Sequence, residues 1–479
     1  MLYQNVSKYG LATHLALAAA LPAALAQFVS GDVLAAVMFW ISLAAGIWLV
    51  MEPSVFSGET ISGARARVMH RIVRDPLAWF IAVAVVFAFI RWLNSGVHLA
   101  FDAEASVWAV KEASATFLPA SSGSEGLCPL ALALSMGIVA IGVKHALGRN
   151  ARLWFGIAAG VVSATGACIA AILAGMGEDP FRASALANFG APCLFGSMYA
   201  LFLPVVVACG IEAEGRGMTK ARLFFAWAVA GNGMGAYLFL PGLLSAAYLS
   251  VSVLIAVVSI VLLKQRSGAA SAARATSMLA FGIVLAVFAS ILPPYAEIQE
   301  AKAKSFEIDA AFPPALMDRN ASLMRISKAV WLDHPWSGVG IGAFKLHAPF
   351  FAGKDDWAVL PPQPTVGPNG YFTLIAERGI VDALLWCAGI VLLLYFWVSR
   401  FVGSFKWQRQ QDEGRSWFLN ISALVWVGPL VLLACLVDAW FSSNFPLTAL
   451  AGCVVAALPL AAASFPKAKQ DTDKKESEG

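Results

Sequence analysis

Apolar residues run along the chain in blocks of about twenty, separated by short polar breaks, and this pattern predicts a bundle of membrane-spanning helices. A run of about 20 apolar residues crosses the hydrocarbon layer as one helix. Such runs lie near 11–29, 33–51, 77–95, 128–146, 153–175, 191–211, 223–240, 242–263, 277–294, 380–399, 417–437 and 447–465. The predicted fold class is an all-α integral membrane protein of about twelve transmembrane helices, with one large loop that contains short helices. The first run lacks a strongly basic flank and another span follows at once, so it reads as a helix rather than a cleaved signal.

The same pattern divides the chain. Residues 1–292 form an N-terminal bundle of about nine spans, with outer loops near 94–127 and 176–190. Residues 293–378 form the large loop, 379–465 the C-terminal spans, and 466–479 a polar tail. A loop of that length is functional or a small domain of its own. Within it, 319–332 carries Leu323, Met324, Ile326, Val330 and Trp331 at helical spacing. Residues 333–342 read as a turn-rich loop and 370–378 as a helix leading into the next span.

Composition supports this reading. Of 479 residues, 59% are hydrophobic and 13% charged, with a mean hydropathy of +0.73; soluble chains carry about 25% charged residues. Lys and Arg fall on one side: Arg65, Arg67, Arg71 and Arg74; Lys144, Arg149 and Arg152; Arg216, Lys220 and Arg222; Lys264, Arg266 and Arg274; Arg400, Lys406, Arg409 and Arg415; then the tail lysines. The opposite short loops hold little beyond Lys111 and Arg182. The basic side is cytoplasmic by this bias, which places both termini inside and the large loop outside. The net charge of +4 is mostly this bias and is no argument for nucleic acid. Seven cysteines in or beside apolar runs, with no CxxC or Cys/His cluster, indicate neither a disulfide framework nor a metal site. Charged residues avoid the span centres: Arg91, Lys144, Glu212, Asp382 and Asp438 all sit near span ends. That argues against an ion pump or proton-coupled transporter.

Candidate chemistry concentrates in the large loop. It contains Asp333-His334-Pro335-Trp336-Ser337-Gly338-Val339-Gly340-Ile341-Gly342-Ala343-Phe344, then Pro368-Asn369-Gly370-Tyr371, then Glu377-Arg378-Gly379 at the entry to a span. The alternating glycines have no βαβ context and no following Lys-Ser/Thr, so they read as backbone compliance for a turn, not a nucleotide loop. The aromatics Trp336, Phe344, Phe350, Phe351 and Trp357 suit either sugar stacking or anchoring among lipid headgroups.

These motifs resemble the O-antigen ligase and O-antigen polymerase superfamily, whose members show an "hPxxGxGxgxF" loop followed by "HNxyLxxxxExG". Asn369 and Gly379 keep the expected nine intervening residues, and Asp438 to Leu447 resembles the superfamily's closing "vDxxfsxPl" turn. The resemblance implies a bacterial inner-membrane glycosyltransferase with a periplasmic loop and neither cofactor nor metal. Its donor is a glycan on undecaprenyl diphosphate, its acceptor another glycan or lipid A-core sugar. Membrane lipid, a flippase and a chain-length regulator are the implied partners. On this resemblance the diphosphate falls to Arg182, Arg319, Arg325 and Arg378, and catalysis to His334, His347 and Asn369. Pro335, Gly338, Gly340, Gly342, Phe344, Glu377 and Gly379 are motif positions. Arginine suits a leaving diphosphate because it is always charged and grips phosphate in a bidentate fork. Two departures mark this chain: Pro368 stands where the superfamily has its catalytic His, and 241–251 carries no charge where a second Arg is expected. The missing His favours a polysaccharide polymerase over a ligase. A non-catalytic transporter, flippase or assembly partner in glycan export is the alternative of another class.

Overall fold

The computed structural model of the chain describes residues 2–25, 28, 31–53, 59–102, 107–111, 120–122, 126–176, 191–239, 242–289, 316–357, 370–411, 422, 424–441 and 457–464. These residues are helical apart from turns and one two-stranded hairpin. In chain order the elements are α1 (Leu2–Leu25), α2 (Gly31–Met51), α3 (Ile61–Val73), α4 (Pro76–Leu93), β1 (His98–Asp102), β2 (Val107–Lys111), α5 (Leu127–Ile141), α6 (Arg149–Gly175), α7 (Ala191–Gly215), α8 (Ala221–Phe239), α9 (Gly242–Ser267) and α10 (Ala269–Ala289). There follow α11 (Leu316–Asp333), α12 (Phe344–Phe351), α13 (Lys354–Trp357), α14 (Gly370–Gln411) and α15 (Leu424–Phe441). Wherever the twelve predicted runs fall on described residues, those residues lie in or at the end of a helix, apart from turn and loop positions near 28, 95, 422 and 464.

Seven helices among the described residues are long and apolar enough to cross a membrane: Val33–Met51, Pro76–Leu93, Leu127–Ala146, Arg149–Gly175, Gly196–Gly215, Ala269–Val287 and Gly370–Phe405. Large apolar side chains such as Trp40, Val83, Phe281 and Tyr395 stand exposed on the outer faces of α2, α4, α10 and α14. Such a belt is stable only against lipid. The protein is therefore an all-α membrane protein in its described part.

Close approach of small residues holds the centre together. A Cβ on Gly160 would lie 1.9 Å from Val206, one on Gly210 2.1 Å from Phe225, and one on Gly231 2.5 Å from the Ala164 side chain and 2.8 Å from its carbonyl oxygen. Helices in lipid associate through such tight contacts, because lipid tails leave no hydrophobic drive between them. One polar knot adds direction. Asn232 of α8 donates to the Gly160 and Ala228 carbonyls at 2.8 Å each and accepts from Ser163 at 2.7 Å. Its amide is thus satisfied inside an apolar core.

At the basic end, Asp75 caps α4 through the Leu77 N–H at 3.0 Å, and Pro76 opens the helix. Asp75 also accepts from Lys144 at 2.8 Å and His145 at 2.6 Å, on a π-turn that ends α5. Burial opposes its ionisation, but the bonds from His145 and Lys144 prevail and hold the carboxyl at about 2.

At the other end a second, smaller core gathers Val97, Leu323, Ile326, Val330, Val339 and Phe344. It joins α11 and α12 to the segment after α4, where β1 and β2 pair antiparallel. The Ser122 N–H donates to the Ile341 carbonyl at 2.9 Å, and the Ile341 N–H to that of Ala120 at 3.2 Å. The described residues between α4 and α5, in a segment predicted only as an outer loop, thus pack with α11 and α12.

The Gly231→Ala protein is expected to unfold at lower temperature in detergent, with a loss of roughly 1–3 kcal/mol for overpacking against backbone. Gly403 has nothing within 4 Å of a built Cβ, so Gly403→Ala in the same assay should leave stability unchanged or raise it. Equal effects at the two sites contradict the packing account.

Candidate functional site

The glycine loop and the entry to α14 form one unit. Gly338, Gly340 and Gly342 all have positive φ, at 66°, 105° and 72°, a region L side chains rarely adopt. The Val339 N–H donates to the Ala376 carbonyl at 3.0 Å and the Gly340 N–H to that of Glu377 at 2.9 Å. In return, the Ile380 and Val381 N–H groups reach the Pro335 and Trp336 carbonyls at 3.0 and 3.3 Å. A Cβ on Gly338 would fall 2.4 Å from the Glu377 carbonyl carbon, and one on Gly379 2.2 Å from the Trp336 oxygen. The two backbones are in contact with no room for side chains between them.

This seam breaks α14. Gly379 sits at φ 68°, ψ −176°, dividing a leading helix from the long apolar one, as the sequence predicts. The first N–H groups of the apolar helix, left without partners inside it, are satisfied by the loop. Phe344 is fully buried in the loop core and Glu377 is buried at the seam.

The break presents Arg378 to a buried charge cluster. Its Nη1 lies 3.2 Å from Asp382 Oδ2, one turn on. From α4, Arg91 Nη1 reaches the same oxygen at 3.0 Å, and its Nη2 lies 3.5 Å from the Arg378 carbonyl. Arg91 is 2% exposed, its guanidinium 5.3 Å from the centre of the Phe87 ring. The Arg91 Nε has no hydrogen-bond partner. Ser121 Oγ donates to the Arg91 carbonyl at 3.1 Å, tying the cluster to the loop unit.

The cluster heads an apolar groove between α4, α5 and α14. The groove runs from Leu77 and Leu393 past Phe80, Met136 and Trp386 to Arg91, Arg378 and Asp382. Leu77 to Arg91 covers about 21 Å of helix at ~1.5 Å per residue, most of a ~30 Å hydrocarbon layer. Phe80, Phe87 and Trp386 are only half-buried along it. Where α4 meets α14, Phe80 packs on Gly389, whose Cβ would lie 2.8 Å from the ring.

Of the other expected site residues, Arg325 is held by Asp356, with Ser322 3.4 Å away. Asp356 also accepts from the Gly353 N–H at 2.9 Å, so this pair anchors α13 to α11. Arg319 lies on α11, its side chain outside the described residues; Arg182 and Asn369 are outside them altogether, as is Pro368. His347 is buried, its ring 5.9 Å from that of His334, whose Nε2 lies 3.4 Å from Asp333. Neither histidine lines the groove. Burial, reinforced by His334 and opposed by Asp333, pushes His347 down to about 4.

Arg91 and Asp382 were legible only as charges near span ends. Their pairing joins residues far apart in sequence, which no local pattern signals. The i,i+4 spacing of Arg378 and Asp382 was the one available hint.

No protein-family model matches the chain, and no curated protein is significantly similar to it in sequence.

The depressed His347 has a testable consequence. Its folded pKa lies below the ordinary ~6.5, so the folded state binds fewer protons than the unfolded one between about 6.5 and 4. Stability is full above that window and falls as pH drops through it, by at most about 3 kcal/mol at ~1.4 kcal/mol per unit. Thermal unfolding from pH 7.5 to 4.5 should show a slope that shrinks in His347→Leu. Equal slopes in the two proteins contradict the assignment.

Proposed function

We propose that the protein is a multi-pass glycosyltransferase of about twelve spans that acts on glycans carried by undecaprenyl diphosphate. In this reading it lies in a bacterial inner membrane, with both termini cytoplasmic and the large loop periplasmic. The observation that carries the proposal is the cluster of Arg91, Arg378 and Asp382 at the head of the groove, in which Arg378 belongs to the second motif of the superfamily resemblance. A polyprenyl tail needs an apolar channel of membrane depth, and its diphosphate needs cations at the interface.

The chemistry follows from that placement. An acceptor hydroxyl attacks the anomeric carbon, the new C–O bond forms, and the bond to the diphosphate oxygen breaks. Negative charge grows on the departing diphosphate, and guanidinium groups held in a low-dielectric site stabilise it strongly. Arg378 and Arg91 are the groups described there, and Arg182 and Arg319 are proposed to join them. The hydroxyl proton needs a base. Burial makes His347 a poor one, so His334, half-buried and beside Asp333, is the better candidate. Pro368 at the superfamily His position favours repeat-unit polymerisation over ligation to lipid A-core. Acceptor glycan, flippase and chain-length regulator would be its partners.

A flippase reading fits less well. A charged headgroup crossing the membrane needs a polar path, and the middle of this groove is apolar.

In the native host, deleting the gene should abolish high-molecular-weight surface glycan and leave single lipid-linked repeats. Wild-type protein should restore it, and Arg91→Gln or Arg182→Ala present in the membrane at normal abundance should not. Unchanged glycan length on deletion removes the polymerase assignment.

A further inference from the structure

We infer that Asp382 is a resident counter-ion that keeps singly charged lipid headgroups out of the groove, so that only a headgroup with several negative oxygens displaces it. This rests on the carrier-lipid reading above and adds to it a residue that sets specificity. The groove lies beside lipid, and a bacterial membrane is crowded with singly anionic phospholipids whose tails fit an apolar channel as well as a polyprenyl chain does. Two bare arginines at its head would capture them.

The geometry shows how capture is prevented. One carboxylate oxygen, Asp382 Oδ2, is 3.0 Å from Arg91 Nη1 and 3.2 Å from Arg378 Nη1. It occupies the point where the two guanidinium groups converge, which is where a phosphate oxygen would bind. Glu377, next to Arg378 in sequence, also attracts Arg91. Two cations therefore face two carboxylates, and the cluster as a whole offers a monoanion no net attraction. A phosphodiester would exchange one negative charge for another while giving up its own hydration, and gains little. A diphosphate presents more oxygens and more charge. It can engage the fork of each arginine at once, including the unpartnered Arg91 Nε, and so outcompete a single carboxylate. Discrimination here comes from an element that repels the wrong ligand as well as one that attracts the right one.

Position separates the two carboxylates. Asp382 bonds both arginines through one oxygen at their point of convergence, and Glu377 acts on Arg91 through its charge. Removing Asp382 therefore opens the anion position; removing the Glu377 charge changes the balance by the same amount but leaves that position filled.

The test uses the full-length protein in neutral-lipid nanodiscs. Binding of dibrominated phosphatidylglycerol is read as the quenching of tryptophan fluorescence that disappears in a Trp386→Phe background, since Trp386 lines the groove. Undecaprenyl diphosphate and undecaprenyl phosphate are added as competitors. Asp382→Asn is expected to raise phosphatidylglycerol binding at least tenfold over wild type, and Glu377→Gln by less than threefold. Equal binding in wild type and Asp382→Asn, or an equal rise in both variants, overturns the inference. Should Asp382→Asn not fold, the wild-type protein still decides: undecaprenyl diphosphate is expected to bind at least tenfold more tightly than the monophosphate on the same chain, and equal affinities overturn the inference. Failure of the carrier reading looks different. There, wild-type protein binds neither polyprenyl lipid, and Asp382→Asn still gains phosphatidylglycerol.

Discussion

A charge withdrawn from water must find a counter-ion or cost several kcal/mol, and Arg91 and Arg378 meet that demand with the same oxygen of Asp382. Much of the loop end follows from this requirement. Arg378 meets Asp382 across the point where α14 breaks at Gly379 and resumes one residue later. The break persists because the glycine loop supplies partners for the N–H groups it leaves open. The loop can lie that close only where Gly338 and Gly379 carry no side chain. Arg91 arrives from α4, and Ser121 fastens its carbonyl to the segment that joins the loop unit. Bundle and loop are therefore one mechanical object at this point.

The described part of the bundle shows why a groove opens between α4 and α14. Around α6, α7 and α8, glycines and alanines let backbones approach until a methyl group would collide, and Asn232 fixes the register. Between α4 and α14 the facing residues are Phe80, Phe87, Trp386 and Leu393, with Gly389 the one point of close approach. Bulky side chains hold those helices apart. The space they leave is apolar along its length and charged at its head, the polarity pattern of an anionic lipid.

Much of this was legible in sequence. Apolar runs of spanning length predicted the helices, because hydrophobic length is a local property. The alternation of Gly338, Gly340 and Gly342 predicted a turn, and the structure shows positive φ at all three. Residues 370–378 read correctly as a helix leading into a span. Other features were hidden because they depend on partners distant in sequence. The strand β1 (His98–Asp102) is too short to declare itself without β2. The pairing of Arg325 with Asp356, on a four-residue helix, has no local pattern to announce it. Arg91 and Asp382 were seen only as charges near span ends, and their significance lies in meeting each other at the top of a groove that no periodicity describes.

We propose that this cluster serves glycosyl transfer from a lipid diphosphate. The direct measurement is reconstitution: purified protein in liposomes with a defined undecaprenyl-diphosphate-linked repeat unit, followed by mass spectrometry of the products. Glycans of two or more repeats on the carrier are expected, with free undecaprenyl diphosphate released once for every repeat added. Donor that stays intact with no free carrier, or that merely changes leaflet, contradicts it.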